Sequence, residues 1–316
     1  MRVLMPTGQN DVLVSSAEVP RPEPAPHEAL VRVAAFSLNR ADLLYLTSAR
    51  ELRPSPGWRP GNDIAGVVVR AATDGSGPAA GDRVAGYLPD GGGWAEYAAV
   101  AADRLAALPS EVDFAAAAAL PTAGITAARL LRAAGPLFGR RVLLTGATGG
   151  VGHYVVELAA AAGAEVTAVA APGEPWQGLA RLGATAVVHS VPEAEGPFDV
   201  VLESIGGEQL PKALAKVRRG GLVLWFGQAS GQPVTLDFFD YFSGFESATL
   251  RQFTVYDGTD SWGADLAALV RLTAADRLHP EFGAPRPWSS VGTALTELAE
   301  RRLRGKAVFL VDEMSS

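Results

Sequence analysis

Between Arg141 and Gly152 the sequence runs through an apolar stretch, Val142-Leu143-Leu144, then a glycine-rich turn, and then a helical run from His153 to Ala162. No other feature narrows the fold so far. The apolar run has the character of a buried parallel strand; Gly149 lets the backbone approach an anionic group, and Gly152 lets a helix pack closely on the strand. Free N–H groups in the first turn of that helix face the anion. A second strand, Glu165 to Ala170, follows at βαβ spacing. The pattern therefore reads as a seat for the pyrophosphate of a dinucleotide, with Gly149, Gly150 and Val151 against it. The first glycine of the usual fingerprint is replaced by Ala147.

The texture of the chain changes near residue 120. Before it lie short strands broken by Pro and Gly: Ala29 to Ala35, Ile64 to Val69, and Asp82 to Gly86. Pro20 to Pro26 is extended, because each proline pushes its predecessor out of the helical region. After it, helices at 113–119, 122–134, 150–162 and 208–217 alternate with strands at 142–146, 165–170, 185–188, 198–202 and 221–227. That alternation predicts a doubly wound parallel sheet. Two more helical runs and a last strand, Ala307 to Val311, close the chain and return to the first domain. A chain of 316 residues exceeds what one core usually supports. The expected division is 1–120 with 266–316 as a β-rich domain, and 121–265 as the dinucleotide domain.

Hydrophobic residues make up 48% of the chain and charged residues 19%, the balance of a packed globular protein. A net charge of −7 argues against nucleic acid or an anionic membrane as partner. No apolar run approaches the length of a membrane span, and no signal peptide is visible, so the expected location is cytoplasmic. The chain has no cysteine, which excludes disulfides, a thiol nucleophile and cysteine-built zinc sites. The four histidines, His27, His153, His189 and His279, are scattered and predict no metal cluster. His153 is expected at the surface.

Further motifs accompany the glycine turn: Ser37-Leu38-Asn39-Arg40-Ala41-Asp42-Leu43, Pro60 to Val68, Gly81 to Val84, Gly93 to Tyr97, and Leu120 to Ala127. Val200 to Gly206, Phe226 to Gly231 and Arg304 to Val308 follow. In this order and spacing they resemble the medium-chain dehydrogenase/reductase superfamily, in its zinc-independent quinone oxidoreductase branch. The resemblance implies an α/β protein with a GroES-like β-rich N-terminal domain and a Rossmann domain, the ligands lying at the carboxyl ends of the parallel strands. It also implies a homodimer formed through the edge of the Rossmann sheet, with Thr249 to Val255 pairing with its copy. The aromatic segment Phe238 to Phe245 lines either a pocket for a planar substrate or that dimer interface.

By the same resemblance Asn39 and Thr126 approach a nicotinamide ring, and Phe226 and Gly227 meet its carboxamide side. Asn39 has the alternative of capping the helix that begins near Ala41, and Thr126 of bonding its own helical turn. Asp42 is expected to hold local structure, nothing near it in sequence suggesting a shifted pKa. Arg50 stands where related enoyl-thioester reductases carry a tyrosine. Tyr45 lies five positions earlier; it either donates a hydrogen bond to a developing enolate or is a buried amphipathic ring. Arg50 either binds a substrate carboxylate or phenolate or is solvated.

Cofactor choice rests on the end of the second strand. There Ala170, Ala171 and Pro172 replace the acidic residue that would bind an adenosine ribose, which disfavours NAD. The basic residue of NADPH-using relatives aligns with Pro175, and Glu174 beside it would repel a 2′-phosphate. Lys306 or Arg181 is the candidate for the missing positive charge. The family resemblance favours NADPH, with NADH as the alternative.

The function this implies is a zinc-independent, NAD(P)H-dependent reductase that transfers hydride to an activated C=C bond (enone or enoyl) or a quinone. A small enone, quinone or polyketide-like molecule would be its substrate. Two alternatives stand beside it: a redox-neutral tailoring enzyme, a cyclase or isomerase of secondary metabolism, and a non-catalytic nucleotide-binding protein.

Overall fold

A computed structural model describes residues 1–9, 11–47, 57–174, 176–242, 244–257 and 261–311. The chain divides into two compact units, one made of the described residues of Met1–Ile125 with Thr259–Ser316, the other of Thr126–Gly258.

In the first unit, β1 (Arg2–Pro6) and β2 (Val14–Glu18) form an antiparallel hairpin. Next come β3 (Glu28–Leu38), α1 (Arg40–Thr47), β4 (Asp63–Arg70), β5 (Arg83–Tyr87), β6 (Tyr97–Ala101), β7 (Leu105–Ala107) and α2 (Phe114–Ala119). Helix α3 (Pro121–Ala134) begins in this unit and ends in the other. The second unit holds β8 (Arg141–Thr145), α4 (Gly152–Ala161), β9 (Glu165–Val169), α5 (Gln177–Arg181), β10 (Ala186–Val188), β11 (Phe198–Glu203), α6 (Gln209–Leu214), β12 (Val217–Trp225) and β13 (Thr249–Gln252). The chain returns to the first unit through α7 (Trp262–Ala274), β14 (Arg286–Pro287), α8 (Val291–Ala299) and β15 (Ala307–Leu310).

The first unit is built on β3. The sequence reads this strand as half-buried over Ala29 to Ala35, but it extends from Glu28 to Leu38 and is covered on both faces along most of its length. The reason is its centrality: β4, β6 and β15 all pair with it in a seven-stranded sheet, six strands of which run in the order β14-β15-β3-β4-β5-β7 while the seventh, β6, pairs with β3 off that path. Phe36 of β3 stacks on Trp94 and Phe309 at centroid separations of 5.8 and 5.4 Å, and these rings centre the core. Such aromatic burial is a large part of what holds a β-rich unit together.

The second unit is a six-stranded, wholly parallel sheet in the order β10-β9-β8-β11-β12-β13. Val142, Leu143 and Leu144 are fully buried, as a parallel strand covered on both faces requires. From β8 the chain winds outward through β9 to β10, then starts again at β11 and winds the other way. The winding therefore reverses between β8 and β11, which defines the topological switch point where open α/β sheets take ligands. The GroES-like N-terminal fold and the Rossmann sheet are both present.

Candidate functional site

The turn at the switch point is built by its glycines. Gly146, directly after β8, has φ +66°, the left-handed region that side chains other than glycine rarely adopt. Ala147 thus costs the turn nothing: the special backbone position falls one residue earlier, and Ala147 is simply buried. A Cβ at Gly152 would collide with Gly146 O and lie 2.6 Å from Ala147 O, so this glycine lets α4 start against the strand end. At Gly149 a Cβ would meet only Gly146 O, at 3.3 Å. What its bareness preserves is open space above the turn.

Helix α4 begins at Gly152, and Val151 at its N-cap position makes no side-chain cap, whereas α2 and α7 are capped by Asp113 and Ser261. The turn uses Gly149 N–H on Gly146 O and His153 N–H on Gly149 O. Gly150 and Val151 stand between them at the helix start, where first-turn amides have no intrahelical partner. His153, expected at the surface, is instead 1% exposed. Its Nδ1 lies 3.2 Å from Gly149 O and its ring lies against Tyr154. The first turn of α4 faces protein on that side, so the imidazole supports the turn from behind.

Across the switch point, Glu203 ends β11 fully buried. It accepts from Thr145 Oγ1 at 3.1 Å, Ile205 N at 2.8 Å and Gly206 N at 3.0 Å. Burial pushes its carboxyl up, and the three donors pull the other way. Glu203 thus ties the loop after β11 to the end of β8. Phe226 and Gly227 follow β12 directly, both half-buried. Phe226 N–H donates to Glu203 O at 2.8 Å, and a Cβ at Gly227 would lie 2.9 Å from Ser204 O. Thr126 is half-buried on α3.

At the end of β9, Ala170 is buried, and its N–H donates to Val188 O. The absence of an acidic side chain at Ala170 to Pro172 does not leave this place uncharged. Ala171-Pro172-Gly173-Glu174 is a tight turn in which Gly173 has φ +87° and Glu174 N–H donates to Ala171 O at 3.0 Å. Glu174 Oε2 then accepts from Ala171 N at 3.0 Å and from Thr148 Oγ1, in the glycine turn, at 2.6 Å. Proline and glycine at the two central positions are the signature of a type II turn. That signal, visible in the sequence, brings Glu174 back to the strand end. Arg181 is exposed on α5.

The first unit holds a second polar cluster, centred on Asp63. Its Oδ2 accepts from Ser37 Oγ at 2.7 Å, Asn39 Nδ2 at 2.9 Å and Lys306 Nζ at 2.9 Å. Its Oδ1 accepts from Thr122 N at 2.8 Å and Thr122 Oγ1 at 2.5 Å. Lys306 Nζ also donates to Asn39 Oδ1. Lys306 is 3% exposed, and its charge is matched by Asp63. This corrects its reading as an anchor for a phosphate: a buried ammonium already paired is not available to one. Sheet register brings the group together, since Ala307 faces Leu38 and Ser37 faces Asp63.

Asn39 has both ends of its carboxamide engaged in this cluster. The first turn of α1 is closed by other atoms: Asp42 Oδ2 accepts from Asn39 N at 2.8 Å, and Asp42 Oδ1 from Gly61 N at 3.2 Å. Asp42 therefore holds local structure, but its pKa is not ordinary. Burial pushes it up to about 7, against the pull of the Asn39 amide and with the Asp63 carboxylate adding to the rise. Tyr45 is half-buried and meets Trp58 edge-on at 5.6 Å. Arg50 lies outside the described residues.

The chain has no cysteine, and among the described residues no three His, Asp or Glu side chains gather as metal ligands. Among those residues no helix is long and apolar enough to cross a membrane.

Two family models match the chain: an alcohol dehydrogenase GroES-like domain over residues 25–110 and a zinc-binding dehydrogenase domain over residues 150–272. Mouse quinone oxidoreductase is 31% identical over 233 residues, covering 70% of each chain. A tomato 2-methylene-furan-3-one reductase is 35% identical over 231 residues, covering 69% of this chain and 59% of that one. The structure of Escherichia coli quinone oxidoreductase complexed with NADPH superimposes with a TM-score of 0.86 at 22% identity, covering 98% of this chain and 99% of the other. The chain belongs to the medium-chain dehydrogenase/reductase superfamily and is quinone oxidoreductase-like.

Proposed function

We propose that this oxidoreductase is a reductase that uses a reduced nicotinamide dinucleotide on an activated C=C bond or a quinone, without a metal. The observation that carries the reading is the uncapped start of α4 at the switch point, with open space above Gly149 and a close-packed Gly152. These residues fit a pyrophosphate: a side chain at Gly149 would enter the space the anion needs, and the amides of Gly150 and Val151 supply donors at the positive end of a helix. When bound, the dinucleotide supplies a hydride to an electrophilic carbon or to the quinone system.

The protein's own part is to bind and position. Glu203 holds the loop Ser204 to Gly206 at the strand ends, so that the backbone around Gly227, in contact with it, has a fixed place beside the nicotinamide. Positioning of this kind carries much of the rate where no covalent nucleophile takes part. A conjugated ketone or a quinone is the favoured acceptor class, since the relatives named above are quinone oxidoreductases and a methylene-furanone reductase. The same reading carries a homodimer through β13, the last strand of the sheet, with the rings of Phe238, Phe239 and Phe242 exposed in the segment that precedes it in the chain.

Oxidation of NADH and NADPH followed against a panel of enones and quinones tests the proposal. Turnover with at least one acceptor is expected; product formed without cofactor oxidation would point to redox-neutral chemistry.

A further inference from the structure

The end of β12 carries a restraint that the reductase reading leaves unused, and the inference drawn from it rests on that reading. After Trp225 the chain keeps pairing with the loop that follows β11. Phe226 N–H donates to Glu203 O at 2.8 Å, Ala229 N–H to Ser204 O at 3.0 Å and Ser230 N–H to Ile205 O at 2.8 Å. The amides between them, those of Gly227 and Gln228, are passed over and find no acceptor among the described residues. Trp225 grips the same step by its carbonyl: the indole Nε1–H donates to Gly227 O at 2.5 Å, while the half-buried ring packs against the core that holds Phe245. A peptide unit is planar, so a carbonyl held on one edge fixes the N–H on the opposite edge. Gly227 O and Gln228 N–H belong to one such unit. Glycine by itself is too permissive to hold that plane. A larger residue is excluded, because a Cβ at Gly227 would lie 2.9 Å from Ser204 O. The stiffness therefore comes from the indole.

We propose that Trp225 is a positioning residue for hydride transfer: by fixing the Gly227–Gln228 peptide it holds that donor edge against the nicotinamide carboxamide and keeps one face of the ring toward the acceptor. A nicotinamide can turn over about its glycosidic bond, and either face can then deliver a hydride from C4. A rigid polar edge at the carboxamide removes this freedom, whereas a loose one leaves the ring bound but misaligned. Misplacement of that kind costs rate far more than affinity, since the reaction needs a near-attack geometry. Trp225 acts through Gly227 and Gln228 and takes no part in the transfer itself.

The test uses NADPH and NADH carrying deuterium at one C4 position, pro-R or pro-S in turn, with an enone or quinone that the wild type reduces. Mass analysis reads the deuterium left in the oxidised dinucleotide. The full-length wild type is compared with Trp225→Phe, which keeps a ring and loses the N–H, and with Trp225→His, whose Nε2–H stands as many bonds from Cβ as the indole Nε1–H. Thermal melting confirms that each folds. The wild type is expected to give up hydrogen from one C4 position only. Trp225→Phe should lower kcat by about tenfold or more, leave the dinucleotide KM within about twofold, and release deuterium from both positions. Trp225→His should restore one-sided transfer. A packing role predicts the reverse order, with Trp225→Phe matching the wild type in kcat and sidedness and Trp225→His impaired; that result would overturn the inference. Should Trp225→Phe not fold, Trp225→His decides: one-sided transfer at near wild-type kcat supports the proposal, and two-sided transfer overturns it. Two-sided transfer by the wild type would also overturn it while leaving the reductase reading intact. Failure of both dinucleotides to bind the wild type would instead remove the reading on which it rests.

Discussion

Lys306 Nζ lies 2.9 Å from Asp63 Oδ2 with both side chains out of water, and 243 residues of chain separate the two. The pair sits where β15, β3 and β4 run side by side, and it locks the returning end of the chain to the first unit. Removing one partner of such a pair leaves an uncompensated buried charge, at a cost of about 3–5 kcal/mol. Lys306→Met is therefore expected to lower the unfolding free energy by about that much. Adding Asp63→Asn should recover part of the loss, because the stranded charge goes with it. Denaturant unfolding of the two variants checks this. In binding, neither dinucleotide should be affected selectively; a loss confined to NADPH would restore Lys306 as a phosphate anchor.

The glycines at the switch point should separate folding from binding. Gly152→Ala pushes a Cβ to 2.6 Å from Ala147 O and against Gly146 O, so it should destabilise the unit by about 1–3 kcal/mol. Gly149→Val meets little protein and should melt close to the wild type, while dinucleotide affinity falls by about tenfold or more. Calorimetric binding beside thermal melting reads both. Equal loss of binding and stability in Gly149→Val would mean that the space above the turn belongs to packing and not to a ligand.

Asp42 gives the fold a pH dependence whose direction follows from its environment. In the unfolded chain its carboxyl titrates near about 4; in the native state burial lifts it to about 7. The folded form therefore holds the proton more tightly. Its contribution is fully present below about pH 4, declines between the two values, and is lost once the pH has risen through about 7, for a total of about 4 kcal/mol at most. Melting temperatures from pH 5 to pH 8 should fall more steeply in the wild type than in Asp42→Asn. The variant itself should be less stable at pH 5, since an amide offers one acceptor to the Asn39 and Gly61 N–H groups that Asp42 now serves with two oxygens. Parallel slopes in the two proteins would rule Asp42 out as their source.

The local features of the second unit were legible in the sequence. An apolar run such as Val142 to Leu144, flanked by glycine and alternating with helical segments, can hardly be anything but a buried parallel strand, and the motifs in their order imply the two-part fold. What sequence could not convey was pairing across long separations. Nothing near Lys306 indicates that strand register delivers it to Asp63 and Asn39, so a lone lysine near the chain end read as an available charge. Burial misled in the same way at His153 and Asp42, whose neighbours in sequence say nothing about the layers packed on them. Glu174 differs, for its signal was local: Pro172-Gly173 fixes a turn that returns the carboxylate to Ala171. Reading the strand end position by position named Glu174 as a charge beside the site but did not show that the turn bonds it to Ala171 and Thr148.

The account stands or falls on hydride leaving the dinucleotide for carbon or quinone. The direct measurement uses NADPH and NADH, each carrying deuterium at both C4 positions, with a panel of enones and quinones and mass analysis of the products. Oxidised cofactor is expected one for one with saturated ketone or hydroquinone, the ketone carrying a single deuterium on the carbon that accepted the hydride. Product that forms without cofactor oxidation, or a saturated ketone free of deuterium, would contradict it.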